Sequence, residues 1–169
     1  SGFGFLYHRA KVRSLGLTDL NTWEDLSRPE LFRQIAIADP HTSGSTVGAF
    51  EMILQSEADW PSGWKKLLSI LSNAKEFTTS SDDAANAPLF DQAAASICID
   101  FYGISREAIE PQKLQYRTPE GGTAFTPDPI GILREAPNPD VARAFVAFVL
   151  SPQGQALWGT KTSENAVMA

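Results

Sequence analysis

The stretch Ile35-Ala36-Ile37-Ala38-Asp39-Pro40-His41-Thr42-Ser43-Gly44-Ser45-Thr46-Val47-Gly48-Ala49-Phe50 decides how this chain is read. Ile35 to Ala38 is a short apolar run, which predicts a buried strand. Asp39-Pro40 ends it, because proline has no amide proton for a sheet ladder. Thr42 to Thr46 is a small hydroxyl-rich turn. It opens a helix whose apolar stripe is Val47, Phe50, Ile53 and Leu54.

A strand-to-helix corner of this kind has specific physics. The first turn of a helix carries amides with no partner inside the helix, and the summed peptide dipoles leave partial positive charge there. Ser43, Ser45 and Thr46 add hydroxyls, and Gly44 lets another group approach the backbone. Two readings stay open at this point. Thr42 or Ser43 is a helix cap, or the turn seats an anionic or strongly polar oxygen.

Outward from this corner, short strands alternate with helices. Gly2 to Tyr7 reads as a strand, and Arg9 to Leu15 as a short helix ended by Gly16. Thr22 with Asp25 is a capping box, and Pro29 starts a further turn. After the corner helix, Trp60-Pro61 begins a helix with Trp64, Leu67, Leu68 and Leu71 on one face. Glu76 to Thr79 is extended, and Ser80 to Asp83 begins another helix with acids placed against its dipole. Ile97-Cys98-Ile99 reads as a buried strand leading into Asp100-Phe101-Tyr102-Gly103, followed by a helix over 104–109. Leu114 to Arg117 is a strand, Thr118 to Pro129 a loop, and Ile130 to Leu133 one more apolar run. Asn138-Pro139 and Ser151-Pro152 are two helix starts. Val141, Phe145, Phe148 and Val149 are the expected buried stripe of the first. The last ten residues carry no pattern and read as loose. The alternation predicts an α/β fold with a central, partly parallel sheet.

Composition narrows the function. The chain has 169 residues, 43% hydrophobic and 20% charged, as in an ordinary globular domain. Its net charge of −6 argues against nucleic acid as a partner. Cys98 lies in an apolar run and reads as a small core residue. One cysteine and two histidines give poor support for zinc, so neither a metal nor a cofactor is expected. The turn lacks the lysine of a phosphate loop. Ser43 or Ser45 with His41 suggests a serine hydrolase, but the pattern is not G-x-S-x-G. No catalytic residue is assigned. Ligands of open α/β sheets sit beyond the carboxyl ends of strands. Two such ends stand out, Asp39 to Thr46 and Asp100 to Gly103.

Taken together the segments resemble the type 2 periplasmic solute-binding proteins of ABC importers, nearest to those for ferric iron, phosphonates, thiamine and polyamines. The matching stretches run in order: Gly2 to Tyr7, Leu15-Gly16-Leu17 through Thr22-Trp23-Glu24-Asp25-Leu26, Ile35 to Thr46, Tyr116 to Thr123, and Asn138 to Trp158. The resemblance implies one lobe of a two-lobed binder with a mixed sheet flanked by helices. Residues 1–134 would be the ligand-binding lobe with crossing strands. Residues 135–169 would be C-terminal helices that pack on a first lobe outside this chain, or fold back, or pair with another copy. The chain opens on a strand-like segment with no leader pattern and reads as a piece of something longer.

Carried over, Thr42, Ser43, Gly44, Ser45 and Thr46 would bind solute through amides and hydroxyls, with Asp100 and Tyr102 facing the same cleft. Ferric-binding members use adjacent tyrosines. Here the pair is Phe101-Tyr102, a departure that lowers an iron assignment and makes a small anionic or polar organic solute at least as expected as a ferric complex. The implied setting is periplasmic or extracellular and membrane-associated, with an ABC permease as partner. A ligand-sensing domain of a regulator or receptor shares this fold and is the alternative.

Overall fold

A computed structural model describes residues 1–159; the terminal segment read as loose lies outside them. The elements are β1 (Phe3–His8), α1 (Arg9–Ser14), β2 (Ile35–Ala38), α2 (Gly44–Gln55), α3 (Trp60–Ser72), β3 (Ala74–Thr78), α4 (Ser81–Leu89), β4 (Ala95–Ile99), α5 (Asp100–Ile109), β5 (Leu114–Arg117), α6 (Pro139–Val149) and α7 (Pro152–Gly159). Two compact units divide them, Ser1–Thr126 and Pro127–Ala169.

The first unit is built on a five-stranded mixed sheet in the order β3-β2-β4-β1-β5. β2 is parallel to both β3 and β4, whereas β1 is antiparallel to β4 and β5. Both faces of the sheet are covered, and the strand period of two sorts the side chains between them. Phe3, Phe5, Tyr7, Ile35, Ile37, Ile97 and Ile99 join Ala49, Ile53 and Leu54 of α2 and Leu67 and Ile70 of α3 in the larger core. Leu6, Cys98, Leu114 and Tyr116 point the other way and pack with Ala85 of α4. Gly103 is required on that second face, because a β-carbon there would fall 2.1 Å from the Tyr116 ring.

Several local expectations are corrected. α3 buries Gly63, Leu67 and Ile70, leaving Trp64 and Leu68 exposed. The cause is Gly63: its missing side chain lets α3 settle on the Leu54 carbonyl, where a β-carbon would come within 2.4 Å. That rotates the helix and turns the larger apolar residues outward. α5 starts at Asp100 rather than at Ile104, because the Asp100 carboxylate accepts the first-turn N–H of Phe101 at 2.8 Å. The capping box at Thr22 forms, with Asp25 accepting from the Thr22 amide and hydroxyl at 2.9 Å each, but it heads a short 3-10 turn over Glu24–Ser27. Pro29 likewise starts a 3-10 turn, Pro29–Leu31. Ile130 to Leu133 forms no strand and is exposed.

In the second unit, α6 and α7 follow their proline start signals. Asn138 makes no side-chain cap to α6, whereas the Ser151 hydroxyl accepts the Gly154 N–H at 3.1 Å and caps α7. The predicted buried stripe of α6 is not buried: Val141 is 69% and Phe145 60% exposed. Among the described residues no helix is long and apolar enough to cross a membrane.

Candidate functional site

The parallel strands β3, β2 and β4 end together, so three strand-to-helix corners open along one edge of the sheet. From β2 the chain runs through α2 and α3 outward to β3. From β4 it runs through α5 to β5 on the opposite flank. The order therefore reverses between β2 and β4, and the crevice outside those two strand ends is where open α/β sheets take ligands. Both corners singled out from the sequence, Asp39 to Thr46 and Asp100 to Gly103, lie at this switch point. β1 begins at the same edge, with Phe3 opposite Ile99. Gly48 admits it: a β-carbon there would sit 2.6 Å from the Phe3 ring.

Each residue of the α2 corner has a definite place. Ser43 is the N-cap of α2, and its hydroxyl oxygen accepts from the Thr46 amide at 3.3 Å and the Thr46 hydroxyl at 3.1 Å. Ser43 and Thr46 are buried in this mutual contact. The Thr42 hydroxyl donates to the Thr79 carbonyl at 2.8 Å, and the Asp39 amide to the Thr78 carbonyl at 2.8 Å, which tie the β2 exit to the β3 exit. Gly44 and Ser45 remain as the open surface of the first turn. A β-carbon added at Gly44 would meet nothing within 4 Å.

Of the hydrolase pairing, His41 and Ser43 are engaged with other partners. Nδ1 of His41 lies 2.8 Å from Asp39, and the Ser43 hydroxyl is shared with Thr46. Hydrogen bonds from the His41 amide and ring hold the Asp39 carboxyl below the usual carboxylate range. Burial pushes the Cys98 thiol up to about 12, so it stays protonated and unreactive. Among the described residues no three His, Cys, Asp or Glu side chains gather as a metal-binding group.

At the other corner, Asp100 is committed to the backbone: one carboxylate oxygen takes the Phe101 N–H and the other takes the Gly2 N–H at 2.7 Å. Tyr102 is half-buried, its ring centroid 4.4 Å from that of Phe101. Arg106, which the sequence reading passed over, places its guanidinium carbon 5.5 Å from the centre of the Tyr102 ring. The sequence hides the pair, because Tyr102 falls ahead of the helix expected over 104–109; only with α5 starting at Asp100 does the four-residue spacing put Tyr102 and Arg106 on one helix face.

The electrostatics of the edge are uneven. α4 carries Asp82 and Asp83 in its first turn, and α5 carries Asp100. α2 carries no acid there. The positive end of α2 thus has no acid in its own first turn, and the acid of its corner, Asp39, is engaged with the His41 amide and ring.

A family model described as bacterial extracellular solute-binding protein matches residues 2–166. The chain is 28% identical over 155 residues to the phosphoglycerate transport regulatory protein PgtC of Salmonella typhimurium, across 92% of this chain and 38% of that protein. It resembles the periplasmic binding protein AfuA of Actinobacillus pleuropneumoniae, solved with fructose-6-phosphate bound, with a TM-score of 0.76 and 25% identity over 91% of this chain and 48% of that one. The periplasmic binding protein P5PA shares the fold, with a TM-score of 0.80 at 23% identity over 98% of this chain and 51% of its own. The chain therefore spans about half the length of these solved structures, and less of the curated relative.

Proposed function

This chain belongs to the bacterial extracellular solute-binding protein family, and on that premise we propose that it is the anion-seating lobe of an ABC importer's solute-binding protein. The solute is a small phosphorylated organic anion. The observation that carries the proposal is the first turn of α2, which opens at the β2–β4 switch point with the Gly44 and Ser45 amides and no acidic side chain. An anionic oxygen set there meets unpaired donors and an uncancelled dipole. Ser43 and Thr46 hold the turn from behind, Thr42 ties it to the next corner, and Asp100 and Tyr102 complete the wall across the crevice.

The names of the relatives support the solute class: one carries phosphoglycerate in its name, and AfuA was solved with a sugar phosphate. The Phe101-Tyr102 pair weighs against ferric iron. In this reading residues 1–134 are one wall of the cleft, and residues 135–169 pack on the wall outside this chain. Capture takes place in the periplasm or at the cell exterior, closure of the second wall completes the site, and a membrane permease receives the solute.

The test is a thermal-shift titration of the complete natural protein against 3-phosphoglycerate, fructose 6-phosphate, inorganic phosphate, spermidine and ferric citrate. A phosphorylated organic anion is expected to raise the melting temperature by mass action, and Ser45→Ala and Tyr102→Ala to reduce that rise. A rise with spermidine or ferric citrate and none with the phosphorylated compounds overturns the proposal.

A further inference from the structure

We propose that Arg106 is a positioning residue for solute capture, fixing the Tyr102 ring at the rim of the β2–β4 crevice before solute arrives. The inference rests on the reading that Tyr102 touches the solute. Arg106 is held from several directions at once. Its side chain is only 13% exposed and forms an ion pair with Asp82 of α4. Nε and one terminal nitrogen both donate to Asn86 Oδ1 at 3.1 Å, and the other terminal nitrogen donates to the Ser105 hydroxyl at 3.0 Å. Ser105 in turn donates to the Tyr102 carbonyl at 2.9 Å.

All three guanidinium nitrogens are therefore engaged with oxygen, and the group also lies against the Tyr102 ring. Phe101 also packs against the ring, tilted at 57°. Pinning two helices together needs only the ion pair, which a lysine could make. The planar fork, which a lysine lacks, is what fixes the guanidinium in orientation beside an aromatic ring. A half-buried tyrosine held in this way has little rotamer freedom left to lose when solute binds. That raises affinity by several-fold to about tenfold relative to a free ring.

The test uses the complete natural protein with 3-phosphoglycerate and fructose 6-phosphate as probes, and four proteins: wild type, Arg106→Met, Tyr102→Ala and the double variant. Calorimetric titration is expected to show about tenfold weaker binding for Arg106→Met alone, and no further loss when it is added to Tyr102→Ala. A packing role alone predicts equal losses in both backgrounds, and that result overturns the proposal. Arg106→Lys, which keeps the charge and the pair with Asp82, covers the case in which Arg106→Met does not fold. It is expected to lose affinity with a melting temperature near wild type, and unchanged affinity counts against positioning.

Ring-flip rates of Tyr102 measured by NMR without any probe separate the two layers of the argument. Faster flips in Arg106→Lys are expected. Unchanged flips overturn positioning whatever binds. Faster flips in a protein that takes up neither probe overturn the solute reading, and with it the role in capture.

Discussion

Two helices of the first unit start from neighbouring strands with the same chemistry at the cap and opposite chemistry in the first turn. At α2, Ser43 accepts the Thr46 amide; at α4, Ser80 accepts the Asp83 amide at 3.0 Å. Each serine satisfies one orphan donor, so each stabilises its helix in the same way. The turns then diverge. α4 follows its cap with Asp82 and Asp83. The first pairs with Arg106, and the second takes the hydroxyls of Ser80 and Thr79 at 2.7 and 2.9 Å. Its dipole is answered from within. α2 follows its cap with glycine, serine and threonine and leaves its dipole for something else. On the proposed reading, a cap and an anion seat are therefore not rivals at one corner. The cap fills the third amide, and the absence of acids keeps the first two available.

The strongest way to break the contrast is to make α2 resemble α4. Ser45→Asp places a carboxylate within about 5–6 Å of a bound anion, a repulsion of roughly 3 kcal/mol at an effective dielectric constant near 20. Binding of a phosphorylated probe should fall about 100-fold. Stability should hold or rise by about 0.3–1 kcal/mol, since the acid suits the helix start. Titration calorimetry beside thermal melting reads both, and retained affinity in the variant would sink the assignment. Truncating the caps is the next largest change. Ser43→Ala and Ser80→Ala should each cost about 1 kcal/mol in chemical unfolding. Only Ser43→Ala should also weaken probe binding, because only that cap supports the seat. Equal effects of both on binding would erase the distinction between the corners.

A smaller effect tests the tie between them. Thr42→Val removes the hydrogen bond to the Thr79 carbonyl at an exposed position, and should cost about 0.5–1 kcal/mol in unfolding. Probe affinity should change less than for Ser43→Ala.

Much of this was legible in the sequence because its signals were local. Ile35 to Ala38 read as a buried strand ended by Asp39-Pro40, and Thr42 or Ser43 and the run from Ser80 to Asp83 marked helix starts. The Tyr102–Arg106 pair was not legible, because it depends on α5 starting at Asp100 and not at Ile104. What escaped depended on contacts between elements. No periodicity in α3 says that Gly63 meets the Leu54 carbonyl, so the stripe through Trp64 and Leu68 pointed to the wrong face. Asp100 was read at its strand exit, but its bond to the Gly2 amide, 98 residues away, was not. The apolar stripe of α6 was correctly read as a stripe. Burial, though, belongs to a surface and what covers it, and Val141 and Phe145 stay exposed.

The smallest expected effect concerns acid. Asp83 and Asp39 both have carboxyls held below their usual range, the first by the hydroxyls of Ser80 and Thr79, the second by the amide and ring of His41. A carboxyl with a depressed folded-state pKa adds stability that is fully present above its unfolded value, near pH 4, and lost as pH falls through the folded value. Both corners should therefore weaken on acidification from about pH 5 to pH 3. Asp83→Asn keeps an oxygen for the Ser80 hydroxyl but cannot titrate, so its melting temperature should fall less steeply over that window than the wild type's. Asp39→Asn should flatten the same curve independently, because the two acids answer to different donors. Identical slopes for wild type and Asp83→Asn would mean that the hydroxyl clamp at α4 forms equally well around a neutral side chain. The contrast with α2 would then rest on Asp82 and its arginine alone.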